Sequence, residues 1–394
     1  MSRYKIMETS QCLGITKGDA AEVLQRDIRG YLKMRYIQLM PAVHAATITM
    51  LAITLSACST KPISPYSEEG VPLVLVPASQ AGVQDKRGRF REIFCRVLEE
   101  RGTTLPDYRS CDEALTKVGE ESGANGTRVR LGSSARPLVA VLVPGIGWNC
   151  ISEWLEPSNS VGKHIRRFGY DLVTLNVDSM SGVSNNARQI RDAIMQMPAQ
   201  GGAPRVVLIG YSKGAPDILE AVATYPELHK RIAAVVSAGG AVGGSALANG
   251  AKQSQLEYMK YWPGAHCTPG DGGAIESLRP ATRKAWLAAN PLPHSIPYYS
   301  LVNYPKPERI SAVLKPGYKK LSRIDSRNDS QVMFYDQVIP NSTLVGYLNA
   351  DHWALAVPIA RTHSLLGATF VNQNDYPREA LIEALLRFVE EDLE

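Results

Sequence analysis

From Pro204 to Tyr225 the chain reads PRVVLIGYSKGAPDILEAVATY, an apolar run leading straight into a helical period. Val206, Val207, Leu208 and Ile209 form a continuous apolar segment rather than an alternating one, the pattern of a parallel strand covered on both faces. Gly210, Tyr211, Ser212, Lys213 and Gly214 then spell G-x-S-x-G, and residues 215–225 continue as a helix. A strand that turns so sharply into a helix holds its central residue in a strained conformation, and a Cβ at either flanking position would collide with backbone. Ser212 is thereby lifted clear of the turn, with the electropositive start of a helix aimed at its hydroxyl.

Working outward, further apolar runs bounded by turn residues begin at Val71, Pro137, Tyr170, Arg231, Pro297 and Thr343, with helical segments between them. Ile190, Ile194 and Met197 share one helix face, as do Ile382, Leu385, Leu386 and Val389 in the final helix, which opens after Asp375 with Pro377 in its first turn. This alternation predicts an α/β protein with a mostly parallel, doubly covered sheet. Two stretches break the rhythm. Residues 78–126 predict two inserted helices, and residues 245–296, with Tyr258, Tyr261, Trp262 and Trp286, occupy the place of a cap.

With strand, elbow and helix in order, the chain resembles the α/β-hydrolase superfamily, in particular its lipase and esterase-like members, over residues 137–394. The resemblance implies a Ser-acid-His triad in that chain order. His352, after the run TLVGYLNA, is the expected histidine, with Trp353 placed to pack on its ring. Asp329, in NDSQV, resembles the lipase turn in which an acid is followed by a small residue and valine; Asp336, in YDQVIP, is the reserve. The oxyanion donors implied are the amides of Lys213 and of Ile146, the latter in Pro144-Gly145-Ile146-Gly147 where small lipases carry His-Gly-x-Gly. The Lys213 side chain is expected in solvent, and Asp217 is expected to act as a favourable charge near the helix start. AGGAVGGSALANG, from Ala238, also resembles a lipase segment. The implied activity is acyl transfer from a carboxylic ester, with no cofactor and no metal; a non-catalytic binding role and an amidase or peptidase are the alternatives.

The 394 residues carry 43 basic and 38 acidic side chains, a formal charge of +5, and no basic run interleaved with aromatics. Nucleic acid is therefore excluded as an expected partner. No His-Glu-x-x-His, paired Cys-x-x-Cys or Walker sequence supports metal or P-loop chemistry. Met40–Ala57 is uncharged and apolar behind Lys33 and Arg35, a secretory pattern, with a plain membrane-spanning helix as the alternative. Leu55-Ser56-Ala57-Cys58 resembles the bacterial lipobox, which implies lipidation of Cys58, and Ser59 favours the outer membrane. Met34 would make a more ordinary start than Met1.

The expected organisation is a leader over 1–57, a tether over 58–70, a strand plus helical insertion over 71–136, and a hydrolase domain over 137–394 with its cap at 245–296. Oligomeric state is left open. Cys95, Cys111, Cys150 and Cys267 allow three pairings; Cys95 with Cys111 and Cys150 with Cys267 are favoured over buried free thiols.

Overall fold

A computed structural model describes residues 62–68, 82–136, 138–155, 159–198, 205–252, 254, 267 and 269–394. The leader, Cys58, the run from Val71, and Tyr258, Tyr261 and Trp262 of the expected cap lie outside the described residues. Seven strands form one sheet in the order β1-β7-β6-β5-β4-β2-β3, every pairing parallel. They are β1 (Gln84–Asp85), β2 (Val139–Val143), β3 (Asp171–Thr174), β4 (Val206–Tyr211), β5 (Ile232–Ala238), β6 (Tyr298–Asn303) and β7 (Thr343–Leu348). Six coincide with the apolar runs read from the sequence. β1 is announced by none of them, because two residues on a sheet edge are held by pairing with Thr343 and Leu344 rather than by their own burial.

The helices that position the site are α1 (Arg87–Arg101), α2 (Trp148–Leu155), α3 (Ser160–Arg166), α4 (Val183–Gln196), α5 (Gly214–Thr224), α6 (Pro280–Ala289), α7 (Lys315–Leu321), α8 (Ser364–Thr369) and α9 (Arg378–Asp392). Along β4 the side chains divide by parity. Val207, Ile209 and Tyr211 enter the core shared with α1 and α9, while Val206 and Leu208 enter the core shared with α4 and α5. A strand buried on both faces has no polar side to display, which is why its sequence is a run.

Phe90 of α1 is fully buried, stacked on Phe94 and edge-on to Phe388 of α9, so the first and last helices lock against each other over the sheet. Phe90→Ala is expected to cost about 3–5 kcal/mol of stability. The measurement is the urea midpoint at unchanged slope; a loss under about 1 kcal/mol would show the α1–α9 face to be dispensable.

Both favoured disulfides form. Cys95–Cys111 closes the helical insertion on itself, and Cys150–Cys267 joins α2 to the segment ahead of Ala274–Ser277. Within the expected cap the described elements are the 3₁₀ turn Ala246–Asn249, the helix Ala274–Ser277 and α6.

Candidate active site

Four loops converge at the carboxyl edge of the sheet: those after β2, β4 and β7, and the stretch between α7 and β7. The sharpest is the turn from β4 into α5, where Ser212 has φ 54°, a left-handed conformation that a serine adopts only under constraint. Its neighbours enforce this. A Cβ on Gly210 would lie 2.4 Å from the Ala215 Cα, and one on Gly214 would lie 1.9 Å from the Val143 carbonyl oxygen, so only glycine fits at either position. The loop after β2 crowds the same serine, since a Cβ on Gly145 would meet the Ser212 Oγ at 3.1 Å.

Ser212 Oγ lies 2.9 Å from His352 Nε2, and His352 Nδ1 lies 2.7 Å from Asp329 Oδ2. The structure therefore brings Ser212, His352 and Asp329 into one hydrogen-bonded chain. Asp329 is fully buried and saturated: Oδ1 accepts from the amides of Gln331 at 3.0 Å and Val332 at 2.8 Å, and Oδ2 also accepts from Asn303 Nδ2 at 3.3 Å. Two backbone amides and a side-chain amide thus satisfy the buried carboxylate's oxygens and fix its orientation toward the imidazole. Its turn is fixed by Ser330 at φ 85° and by the His352 amide, which donates to the Asp329 carbonyl at 3.0 Å.

Several supporting groups escape a sequence reading. Tyr211 donates through its hydroxyl to the His352 carbonyl at 2.7 Å, and its ring lies 5.2 Å from the imidazole. That ring contact was expected of Trp353, which lines the adjacent cavity. Asp351, fully buried, accepts from the amides of Ala354 at 2.9 Å and Ser311 at 2.9 Å and so pins the histidine loop; burial raises its pKa above the ordinary value. Asn303, at the end of β6, also donates from its backbone amide to Gln337 Oε1 at 2.7 Å. The only sequence signal for Asn303 was its place at the carboxyl end of an apolar run.

Asp336 does not join the chain. It sits against Gly243, with Lys284 Nζ at 3.8 Å, and burial pushes its carboxyl from 3.8 up to about 7. A group whose folded pKa is raised binds its proton more tightly in the native state, so its contribution to stability falls as pH rises from about 4 to about 7. Asp336→Asn is accordingly expected to stabilise the fold by a few kcal/mol (~2–4) above pH 7 and by nothing below pH 4. Thermal melts at the two pH values check this; equal gains at both would refute the assignment.

Lys213 corrects the sequence expectation. Its side chain is fully buried, and Nζ bonds Asp217 at 2.8 and 2.9 Å. Asp217 in turn accepts from Asn186 Nδ2 at 2.8 Å, and Arg283 of α6 is buried beside it, its Nε donating to the Val242 carbonyl. Burial raises the Asp217 pKa and lowers that of Arg283 to about 10. The i,i+4 spacing was visible; a lysine at a helix start is usually solvated, and only the tight packing under the elbow makes this one different.

Beside Ser212 opens a cavity of about 330 Å³, walled by Ile146, Trp148, Leu247, Ile275, Val332 and Trp353, with His352 and the serine at its base. Its lining is mostly apolar. Among the described residues no cluster of His, Cys, Asp and Glu is arranged to hold a metal.

The crystal structure of a metagenomic carboxyl esterase superposes with a TM-score of 0.74 at 40% identity, covering 82% of this chain and 97% of that one. A Bacillus licheniformis lipase in mature form aligns at 20% identity over 62% of this chain and 95% of its own, TM-score 0.46. EstA from Clostridium botulinum aligns at 10% identity over 76% and 97%, TM-score 0.46. No protein-family model and no curated protein matches the chain. At 40% identity over nearly the whole of the esterase, on a parallel sheet with this elbow, the chain belongs to the carboxyl esterases of the α/β-hydrolase fold and is a serine ester hydrolase.

Proposed function

We propose that this enzyme cleaves carboxylic esters through an acyl-enzyme on Ser212. His352 takes the hydroxyl proton as the oxygen attacks the ester carbonyl, then returns it to the leaving alcohol. Asp329 holds the imidazole in the tautomer with Nδ1 protonated and balances the cation that forms. The amides of Lys213 and Ile146 receive the oxyanion, and water resolves the acyl-enzyme by the same steps in reverse. The observation that carries this reading is the pair of contacts at 2.9 and 2.7 Å linking serine, histidine and aspartate.

The same reading places the enzyme at a bacterial cell envelope, held by lipid on Cys58 and facing the periplasm, with the outer membrane favoured. Support comes from the sequence of residues 33–59 and from two disulfides, which belong to an oxidising compartment. A fluorophosphonate probe is expected to label the wild type and to miss Ser212→Ala, and a p-nitrophenyl ester series is expected to show turnover on short and medium acyl chains. Folded wild type that takes no label would leave a binding role in place of catalysis. Mass spectrometry of the membrane-extracted protein tests the anchor: a diacylglyceryl mass on a chain beginning at Cys58 is the expected result.

A further inference from the structure

Residues 63–67, just downstream of the expected anchor, are pinned to one place on the body. The Ser64 amide donates to the Ser322 carbonyl at 2.7 Å, Ser326 Oγ donates to the Pro65 carbonyl at 2.7 Å, and Tyr304 donates to the Ser67 carbonyl at 2.6 Å. Ser64 is six residue steps from Cys58, and a fully extended chain of that length spans about 20 Å at most. On the proposed lipid anchor at Cys58, this tether length would hold Ser322 within that reach of a bilayer surface.

The surface found there is basic. From Ser311 to Ile324 the chain carries Lys315, Lys319, Lys320 and Arg323 and no acidic residue. All four are exposed, and none makes an ion pair with a described residue. The carboxylates acting on this helix through Tyr318 are Glu308 and Asp325, and Asp325 is already paired with Arg327 at 2.6 Å. Large apolar side chains stand out among the cations: Ile63 is 52% exposed and Ile324 60%. The patch continues through Val313, whose amide donates to the Phe370 carbonyl, to Phe370 itself, 57% exposed at the end of α8. Exposed apolar side chains rimmed by unpaired cations are the composition of a surface that lies on anionic lipid.

This face also adjoins the cavity. α7 packs on the turn Ala246–Asn249, whose Leu247 and Ala248 line the pocket. At its start, a Cβ on Gly317 would lie 2.4 Å from the Ser330 carbonyl, next to pocket-lining Gln331.

We infer that the α7 face, from Lys315 to Ile324 with Ile63 and Phe370, docks on an anionic phospholipid bilayer and turns the active-site cavity toward esters carried in that bilayer. The inference rests on the proposed membrane anchor and ester chemistry, and extends them to orientation and substrate source. Neutralising each basic side chain is expected to weaken the surface attraction roughly fivefold.

The full chain is reconstituted into vesicles of phosphatidylcholine, alone or mixed with phosphatidylglycerol. Hydrolysis of a vesicle-embedded fluorogenic ester is compared with hydrolysis of soluble p-nitrophenyl butyrate. Phosphatidylglycerol is expected to raise the embedded rate several-fold and leave the soluble rate unchanged; the triple variant Lys319→Gln, Lys320→Gln, Arg323→Gln is expected to lose that gain while keeping its soluble rate. Independently of catalysis, a tryptophan introduced as Ile324→Trp is expected to be quenched by brominated lipid, read against the parent chain. Embedded rates indifferent to phosphatidylglycerol, or an unquenched Ile324→Trp, would overturn the docking while soluble turnover still upheld the ester hydrolase. No soluble turnover together with quenching would instead sink the catalytic reading and keep the docking. If the triple substitution dissolves a self-associated form and leaves quenching intact, the face belongs to a second copy and the inference falls.

Discussion

Ser212→Ala is expected to lower kcat on a p-nitrophenyl ester by about a million-fold, the loss typical of a serine enzyme stripped of its nucleophile. Asp329→Asn should cost on the order of ten-thousand-fold, because an amide at that position favours the wrong imidazole tautomer. Asp336→Asn should stay near the wild-type rate. The contrast matters more than any single value. Both aspartates precede His352 in the chain, and both are buried, but only Asp329 lies within 2.7 Å of the ring. Steady-state kinetics on the three variants, with circular dichroism to confirm folding, would overturn the assignment if Asp336→Asn were the damaged one.

The second large effect is expected beneath the elbow. Lys213→Ala leaves the Asp217 carboxylate buried with Asn186 and the more distant Arg283, and removing one partner of a buried ion pair generally costs about 3–5 kcal/mol. Replacing both partners, Lys213→Met with Asp217→Leu, is expected to recover most of that stability, since two apolar side chains leave no charge uncompensated. Recovery of activity is expected to lag behind. The Lys213 amide is the proposed oxyanion donor, and its side chain anchors the first turn of α5 through Asp217. A misplaced donor lowers kcat, by up to about a hundred-fold, without raising KM. Double-variant kinetics that match the wild type in kcat would reduce the ion pair to a packing device.

What the sequence made legible follows from the kind of constraint involved. The elbow was readable because a steric requirement for glycine on both sides of Ser212 leaves a mark on residue type. His352 was readable because a strand end and a chain order locate it. Asp329 was readable only in part: its neighbours Ser330 and Val332 hinted at the turn, while Asp336 offered a similar hint seven residues on. What separates them is the hydrogen bonding that Asn303, Gln331 and Gln337 bring to Asp329 from β6 and the adjoining loops, and no local pattern records a contact across 26 positions such as that between Asn303 and Asp329.

Lys213 was misjudged for a related reason. Its spacing to Asp217 was in view, but solvent access is decided by how closely the loop after β2 and helix α6 press on the elbow. β1 was invisible because pairing alone, with no apolar signature, makes it a strand.

The Cys150–Cys267 bridge spans 117 positions and joins the helix that follows the Pro144–Gly147 turn to the segment ahead of Ala274–Ser277. A loop of that size, once closed, removes roughly 5 kcal/mol of freedom from the unfolded chain. Produced in a thiol-reducing cytoplasm, the same polypeptide would lose this long-range stitch, so recombinant yield and heat tolerance should depend on which cellular compartment the host uses to mature it.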